Sequence, residues 1–253
     1  MAAILFPCGP AGSVNLGSTA YTAQGVAFHA NPFFETPGAL STTDGTTFLV
    51  SLWFKLAGHD STFQSWFETD SSSGAGFSIF RTNTNTFQIL GNLANSAGVC
   101  ICTSGGTFTA DGLWHHLCVA FGASAPLLYF DGVLDAGGTK LNSGGGNIAF
   151  AQAAVNRLGA RGGGGLISDV DFADVYIAYN QFLDISIASN LQKFRSASGA
   201  PVDLGATGAT PTGTAPTVFF SSTVASWHVN KGTGGNLFTV QNGPLAAAST
   251  NPP

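Results

Sequence analysis

Residues 111–135 constrain the fold of this chain more than any other part of the sequence. They contain two apolar segments, residues 114–121 and 127–130, joined by a short connection with Gly, Ser and Pro. Asp-Gly pairs at positions 111–112 and 131–132 mark turns on either side. Apolar residues occupy both odd and even positions of each segment. This pattern predicts a β-hairpin that is covered on both faces, as inside a sandwich of two antiparallel sheets.

The rest of the chain reads as further short strands. Apolar residues alternate in residues 47–56, with Ser51, Trp53 and Lys55 on the opposite face. Strands are also predicted at residues 25–28, 62–69, 77–81, 86–92, 99–103, 174–177, 218–220 and 237–240, and an extended loop at 31–47. One short helix is expected near 185–195, because apolar residues recur there at helical spacing behind Asp184.

Three sequence blocks resemble a known family. Asp-Gly-x-Trp-His-His-x-x-Val-Ala at 111–120, Leu-Tyr-x-Asp-Gly at 128–132 and Ser-x-Trp-x-Lys at 51–55 are similar to laminin G-like and pentraxin-like domains. The resemblance implies an all-β concanavalin A-like jelly roll of two antiparallel sheets. We expect an N-terminal arm at 1–24, the laminin G-like domain at 25–220 and a C-terminal extension at 221–253.

The balance of charge limits the partners. Only 8% of the residues are charged and the net charge is −5, against a usual charged share of about 25%. Because no Lys/Arg cluster exists, nucleic-acid binding is disfavoured. Because so few residues are charged, copies of the chain repel one another only weakly, and we expect the chain to work in multiple copies.

The apolar segments and the cysteines indicate the compartment. The longest nearly apolar run, residues 117–130, is too short and too interrupted for membrane insertion. The N-terminal residues lack the basic region of a signal peptide, so we expect folding in a cytoplasm. All four cysteines are expected to remain reduced. Cys100 and Cys102 point to one face of a strand and are poorly placed to bridge each other, and Cys118 on the central hairpin is a candidate neighbour for them.

The C-terminal third carries a second resemblance. Pro-Val-Asp-Leu-Gly at 201–205, Ala-Thr-Pro-Thr-Gly at 209–213 and Trp-His-x-Asn-Lys-Gly-Thr-Gly-Gly at 227–235 resemble the end of laminin G-like proteins of tailed bacteriophages. This implies a virion structural protein of the tail or capsid surface, made in the host cytoplasm. Its partners would be other virion proteins, copies of itself and host surface glycan. The segments 1–24 and 201–253 would then lie in intersubunit contacts.

Asp169, Asp171 and Asp174 form the strongest candidate for catalysis or metal binding. Glycosidases of the concanavalin A-like fold carry a similar acidic motif with Glu at both ends, and Asp is one methylene shorter. We therefore expect no enzymatic activity, and a glycoside hydrolase using these three residues is the less favoured alternative. They are also weak candidates for calcium, which binds oxygen ligands, and no other cofactor is expected.

Glycan binding calls for exposed aromatic rings near amides and charges. The candidates are Trp66, Arg81, Asn83, Asn85, Trp227 and His228. A free carbohydrate-binding or adhesion module is the main alternative to a virion protein. His115 and His116 suggest a metal pair at first sight, but neighbouring strand residues point to opposite faces. We interpret them as packing or hydrogen-bonding residues.

Overall fold

The protein is an all-β sandwich with one short helix, as predicted. The computed structural model describes residues 21–29, 31–70, 76–93, 98–162, 166–235 and 238–253. Strands β1 to β16, numbered in chain order, form two sheets in which all pairs are antiparallel. Helix α1 spans Ala188–Leu191, and short 3-10 helices span Phe150–Gln152 and Val224–Ser226.

The two sheets have eight strands each in the described part of the chain. The first runs in the order β10 (Val133–Leu134), β9 (Leu127–Phe130), β8 (His115–Phe121), β3 (Phe48–Leu56), β13 (Val170–Tyr179), β1 (Val26–Phe28) and β16 (Ala246–Ala247), and β14 (Val218–Phe220) also pairs with β13. The second runs in the order β11 (Lys140–Asn142), β7 (Gly98–Thr103), β6 (Phe87–Asn92), β5 (Phe77–Arg81), β4 (Gln64–Asp70), β12 (Val155–Leu158), β2 (Phe33–Pro37) and β15 (Thr239–Gln241).

Aromatic side chains fill the space between the sheets. The alternation predicted for β3 is confirmed, since Phe48, Val50, Leu52, Phe54 and Leu56 all face this core. Ring centroids lie 4.8 Å apart for Phe54 and Trp66 and 4.5 Å apart for Trp66 and Phe87. These rings come from both sheets, so their packing holds the two layers together.

The central hairpin is covered on both faces, as its sequence predicted. Leu49, Cys118, Ala120 and Tyr176 point away from the core, on the outer face of the first sheet. They are buried by Ile185, Leu191, Phe194 and Leu204 from the segment between β13 and β14, and by Phe219 of β14. The predicted helix is thus a single turn whose role is to cover this sheet.

The boundary expected at residue 220 differs from the structure. Strand β15 pairs with β2 and β16 pairs with β1, so residues 239–247 add a strand to the edge of each sheet. Strand β2 likewise lies inside the loop predicted for 31–47. Strand β15 overlaps the strand predicted at 237–240. Strands β2 and β16 show no alternating pattern in the sequence, and they form because they give hydrogen-bond partners to neighbouring strands. The predicted arm at 1–24 falls outside the described residues except for 21–24.

The cysteine side chains lie on different sides of the first sheet. Cys100 and Cys102 belong to the core between the sheets, whereas Cys118 faces the outer cover. The prediction that Cys118 neighbours the other two is therefore wrong. All three are free and buried, and burial raises the pKa of each thiol.

Trp114, the first residue of the hairpin segment expected to be covered on both faces, does not belong to the core between the sheets. It precedes β8 and is half-buried on the outer face of the first sheet, beside Trp53. Its Nε1 donates a hydrogen bond to Thr250 Oγ1 at 3.0 Å, and Lys55 Nζ lies 5.5 Å from its ring. The C-terminal segment therefore supplies part of its cover.

Two tryptophan substitutions test this arrangement. Trp66→Ala should lower the free energy of unfolding by about 3–5 kcal/mol, because it opens a cavity in the core. Trp114→Ala should cost only about 1 kcal/mol, because its ring borders solvent. Urea denaturation of both variants provides the measurement, and equal costs would contradict the assignment of Trp66 to the core and Trp114 to the rim.

Candidate functional site

Both tryptophans predicted to bind glycan are core residues. Trp66 and Trp227 are 0% exposed. Trp66 contacts the rings of Phe54 and Phe87, and Trp227 stacks on Phe220 with a centroid distance of 5.5 Å. The prediction was wrong for these residues because their rings pack between the sheets and cannot reach a ligand.

Arg81 also has a structural role. It is 0% exposed, and its guanidinium donates to the carbonyl oxygen of Phe108 from Nε at 3.1 Å and from Nη2 at 2.7 Å. Nη1 donates to the His59 carbonyl at 3.1 Å, and Nη2 pairs with Asp60. Arg81 therefore ties two loops to strand β5. Because its guanidinium donors are used within the protein, Arg81 is not available to contact a ligand.

The three remaining glycan-binding candidates do not lie together in one site. Asn83 is exposed in the turn between β5 and β6. Asn85 accepts a hydrogen bond from the Ser61 backbone N–H at 2.7 Å. His228 is half-buried, with its ring 6.5 Å from that of Phe34. Asn83 and Asn85 share the β5–β6 turn, whereas His228 packs beside β2.

A groove lies beside this hairpin, on the outer face of the second sheet. It encloses about 260 Å³, and its walls include Phe63, Glu68, Ser78, Phe80, Gln88 and Arg161. Strand alternation creates it, because Phe77 and Ile79 of β5 enter the core and direct Ser78 and Phe80 outward. Strands β4 and β6 contribute Glu68 and Gln88 to the same face.

Charge and aromatic character meet in the groove. Arg161 Nε donates to Glu68 Oε1 at 3.1 Å, and the guanidinium lies 5.5 Å from the Phe80 ring. Phe63 extends this aromatic patch, with its ring centroid 5.1 Å from that of Phe80. Beside the groove, Arg157 pairs with Asp70 and Glu35.

Glu68 is the least satisfied polar group of the groove. It is 7% exposed, and its Oε2 atom has no hydrogen-bond partner within the described residues. Burial raises the pKa of this carboxyl group above its usual range. A buried acceptor without a donor is costly, so a ligand hydroxyl that reaches Glu68 would be favoured.

The glycan candidates on the β5–β6 hairpin, Arg81, Asn83 and Asn85, do not line the groove beside it. Arg81 shares strand parity with Phe77 and Ile79, both of which are apolar, and this signal would have placed it inward. The same parity assigns Phe80 and Gln88 to the outer face. Arg161 follows β12 and carries no comparable signal, because its position depends on the pairing of β12 with β4.

Comparison with known families identifies the superfamily to which this sandwich belongs. A model of the concanavalin A-like lectin/glucanases superfamily matches residues 28–180. The chain belongs to this superfamily. A search of curated proteins finds no match to the sequence.

Two solved structures show the same fold as this lectin-like chain. A Bacteroides ovatus protein assigned as carbohydrate-binding is 12% identical, with a TM-score of 0.62, and the alignment covers 91% of this chain and 62% of that one. The heptameric SAP-like pentraxin of Limulus polyphemus is 11% identical, with a TM-score of 0.53, covering 89% and 94% of the two chains. At identities this low, the two comparisons establish only the fold of the lectin-like chain.

The three aspartates considered as candidates for catalysis or calcium lie on β13 or directly before it in this lectin-like sandwich. Asp171 is 1% exposed and pairs with Lys55 Nζ and His29 Nε2, each at 2.7 Å. Asp169 lies 3.7 Å from His29 and 3.9 Å from His59. Lys55 thus already neutralises the Asp171 carboxylate.

Asp174 occupies a β-bulge of the lectin-like sandwich. Its φ angle is +44°, and the pairing of β13 with β3 shifts register between Ala173 and Tyr176. The Tyr21 hydroxyl donates to both carboxylate oxygens, at 2.8 and 2.9 Å. Within the described part of the chain, no group of three His, Cys, Asp or Glu side chains is placed to hold a metal ion. Calcium binding by these aspartates stays a prediction.

The adjacent histidines pack and form hydrogen bonds, as predicted. His116 is fully buried, lies 4.9 Å from the Trp53 ring and is 2.8 Å from Ser51 Oγ through Nε2. Burial lowers its pKa to about 3. His115 lies between Asp131 at 2.6 Å and Asp111 at 3.0 Å. The hydrogen bond with Asp131 raises the pKa of His115.

None of the described helices is long and apolar enough to cross a membrane.

Asp174 provides a test of the β13 geometry through pH. Burial raises its pKa to about 6, whereas the unfolded chain keeps a value of about 3.9. The folded state therefore binds this proton more tightly, and the stability contribution grows as the pH falls from about 6 to about 4. Relative to Asp174→Asn, which cannot titrate and tolerates a positive φ, the wild type should gain about 2 kcal/mol between about pH 7.5 and pH 4. Chemical denaturation of both proteins across this range gives the difference, and parallel stability curves would contradict the burial of Asp174.

Proposed function

We propose that this chain is a non-enzymatic, lectin-like structural protein of a bacteriophage virion, on the tail or capsid surface, which binds a host-surface glycan in the groove of the second sheet. The observation that supports this most is the composition of the groove. Glu68, Gln88 and Arg161 surround an aromatic patch formed by Phe63 and Phe80.

These side chains match the chemistry of a sugar. A carboxylate, an amide and a guanidinium offer paired acceptors and donors to vicinal hydroxyls, and bidentate contacts with charged groups are the stronger ones. An aromatic ring accommodates the apolar C–H face of the sugar. A few polar groups that converge on an apolar surface are typical of ligand sites.

The absence of catalysis is inferred from the carboxylates on β13. Glycosidases need one carboxyl group as an acid and a second carboxylate free to act as nucleophile or base. Asp171 forms an ion pair with Lys55 and a hydrogen bond with His29, and both oxygens of Asp174 accept from Tyr21. Neither is free to attack a substrate or to activate water.

The virion setting rests on the sequence. The motifs in the C-terminal third resemble bacteriophage laminin G-like proteins, and a charged share of 8% favours assembly into many copies. A free carbohydrate-binding module is the second candidate function, because the groove could bind a glycan equally well in a protein that is not part of a virion. The number of copies in particles separates the two.

Gln88 and Arg161 allow a direct test of the groove. On a bacterial glycan array, Arg161→Ala should weaken binding about tenfold or more and Gln88→Ala severalfold, because a hydrogen bond from a charged group contributes about 1.5–3 kcal/mol and one from a neutral amide about 0.5–1.5 kcal/mol. Gln192→Ala is the matched control, since Gln192 is exposed on the cover of the other sheet. Unchanged binding in both groove variants would remove the groove as the site.

The same array also tests calcium and catalysis. Binding in EDTA and in added calcium shows whether a metal contributes. A reducing-end assay on the bound glycans should show no cleavage. Cleavage by the wild type that Glu68→Gln abolishes would contradict the non-enzymatic assignment.

Purified virions of the phage that encodes the chain test the setting. Quantitative mass spectrometry should find the protein in multiple copies per particle, because a structural component is assembled in symmetric sets. Virions that lack the protein would favour the free carbohydrate-binding module.

A further inference from the structure

A second cleft lies at a different place in the fold, where the β8–β9 loop meets the segment after β13. It encloses about 400 Å³ and is lined by residues 122–125 together with Leu127, Phe182, Asp184 and Ser186. This volume is within the range of small-molecule sites. The residues that line the groove of the second sheet are entirely different.

The floor of this cleft includes an exposed aromatic ring. Phe182 is 49% exposed, which is unusual in a chain whose other phenylalanines are so often buried. Its ring lies against the backbone of Gly122, where an added Cβ atom would come within 2.8 Å of a ring carbon. The glycine thus allows the ring to lie on the loop with one side open to the cleft.

A carboxylate stands near this ring. Asp184 Oδ1 accepts hydrogen bonds from the backbone N–H of Ser186 at 3.0 Å and from its hydroxyl at 2.5 Å. Asp184 Oδ2 accepts no hydrogen bond from the described residues, so one acceptor stays available. The hydroxyls of Ser124 and Ser186 add further polar groups to the cleft wall.

Both walls are held by side-chain amides. Asn142 Nδ2 donates to the carbonyl oxygens of residues 122, 123 and 124, each at 3.2 Å. Asn190 Nδ2 donates to the carbonyl oxygen of Asp184 at 2.9 Å. The cleft is therefore formed before any ligand arrives, which reduces the entropy cost of binding.

We propose that this cleft is a second binding site, for a single neutral sugar ring. One side of a sugar is apolar and suits the Phe182 ring, while its hydroxyl rim suits Asp184 Oδ2 and the serine hydroxyls. The Asp184 carboxylate disfavours uronic and sialic acids, because it repels a second negative charge. The proposal does not depend on the groove of the second sheet. Two sites on one copy would raise avidity for a glycan without new contacts.

A titration of the ¹⁵N-labelled full chain tests this site. The probes are D-glucose, D-galactose, D-mannose and N-acetyl-D-glucosamine, with D-glucuronic acid as the charged comparator. At least one neutral sugar should shift the amide signals of residues 122–125 and 182–186. Phe182→Ala should weaken that binding about tenfold, since it removes the aromatic contact, and Asp184→Asn should weaken it severalfold.

Leu113→Ala provides the matched control, since Leu113 is 62% exposed and lies outside the cleft. This variant should bind as the wild type does. Arg161→Ala should also leave the titration of this cleft unchanged, so failure of the groove and failure of the cleft are distinguishable. The proposal is overturned if no neutral sugar shifts these amides, if Phe182→Ala binds like the wild type, or if glucuronic acid binds as well as the neutral sugar that binds most tightly.

Discussion

The packing of aromatic rings between the sheets is the interaction on which this structure depends. Phe54 and Phe172 from the first sheet meet Trp66 and Phe87 from the second, with centroid distances of 4.8 to 5.3 Å. Because strand side chains alternate, each inward ring determines which of its neighbours faces outward. The positions of Phe80, Gln88 and Glu68 on the outer face follow from this core.

The two sheets use their outer faces differently. The first sheet is covered by the segment between β13 and β14, so its outward residues form a second apolar cluster. The second sheet has an outer face with charged, amide and aromatic side chains around an open groove. Because the first sheet is covered, the surfaces accessible to a ligand are the outer face of the second sheet and the loops, where Phe182 lies.

The ends of the described chain close one edge of the sandwich. Strand β16 pairs with β1, Asn251 Oδ1 accepts from the Gly25 N–H at 2.9 Å, and Lys55 Nζ donates to Ser249 at 3.0 Å. Pairing of this kind satisfies backbone groups that would otherwise form an exposed strand edge. The C-terminal segment is therefore part of the fold, and a role in contacts between subunits would be additional to this one.

The sequence by itself determined the fold class, the central hairpin, the alternation of β3 and the family. These follow from local patterns, because apolar residues at period two and Asp-Gly turns act over a few residues. Tertiary structure decided which aromatic rings are buried, since Trp66, Trp227 and Phe182 look alike in the sequence. It also decided which residues line the candidate groove and the candidate cleft. Glu68 meets Arg161, and Phe182 meets Gly122, only because strand pairing and loop packing join residues that are 60 or more positions apart in the chain.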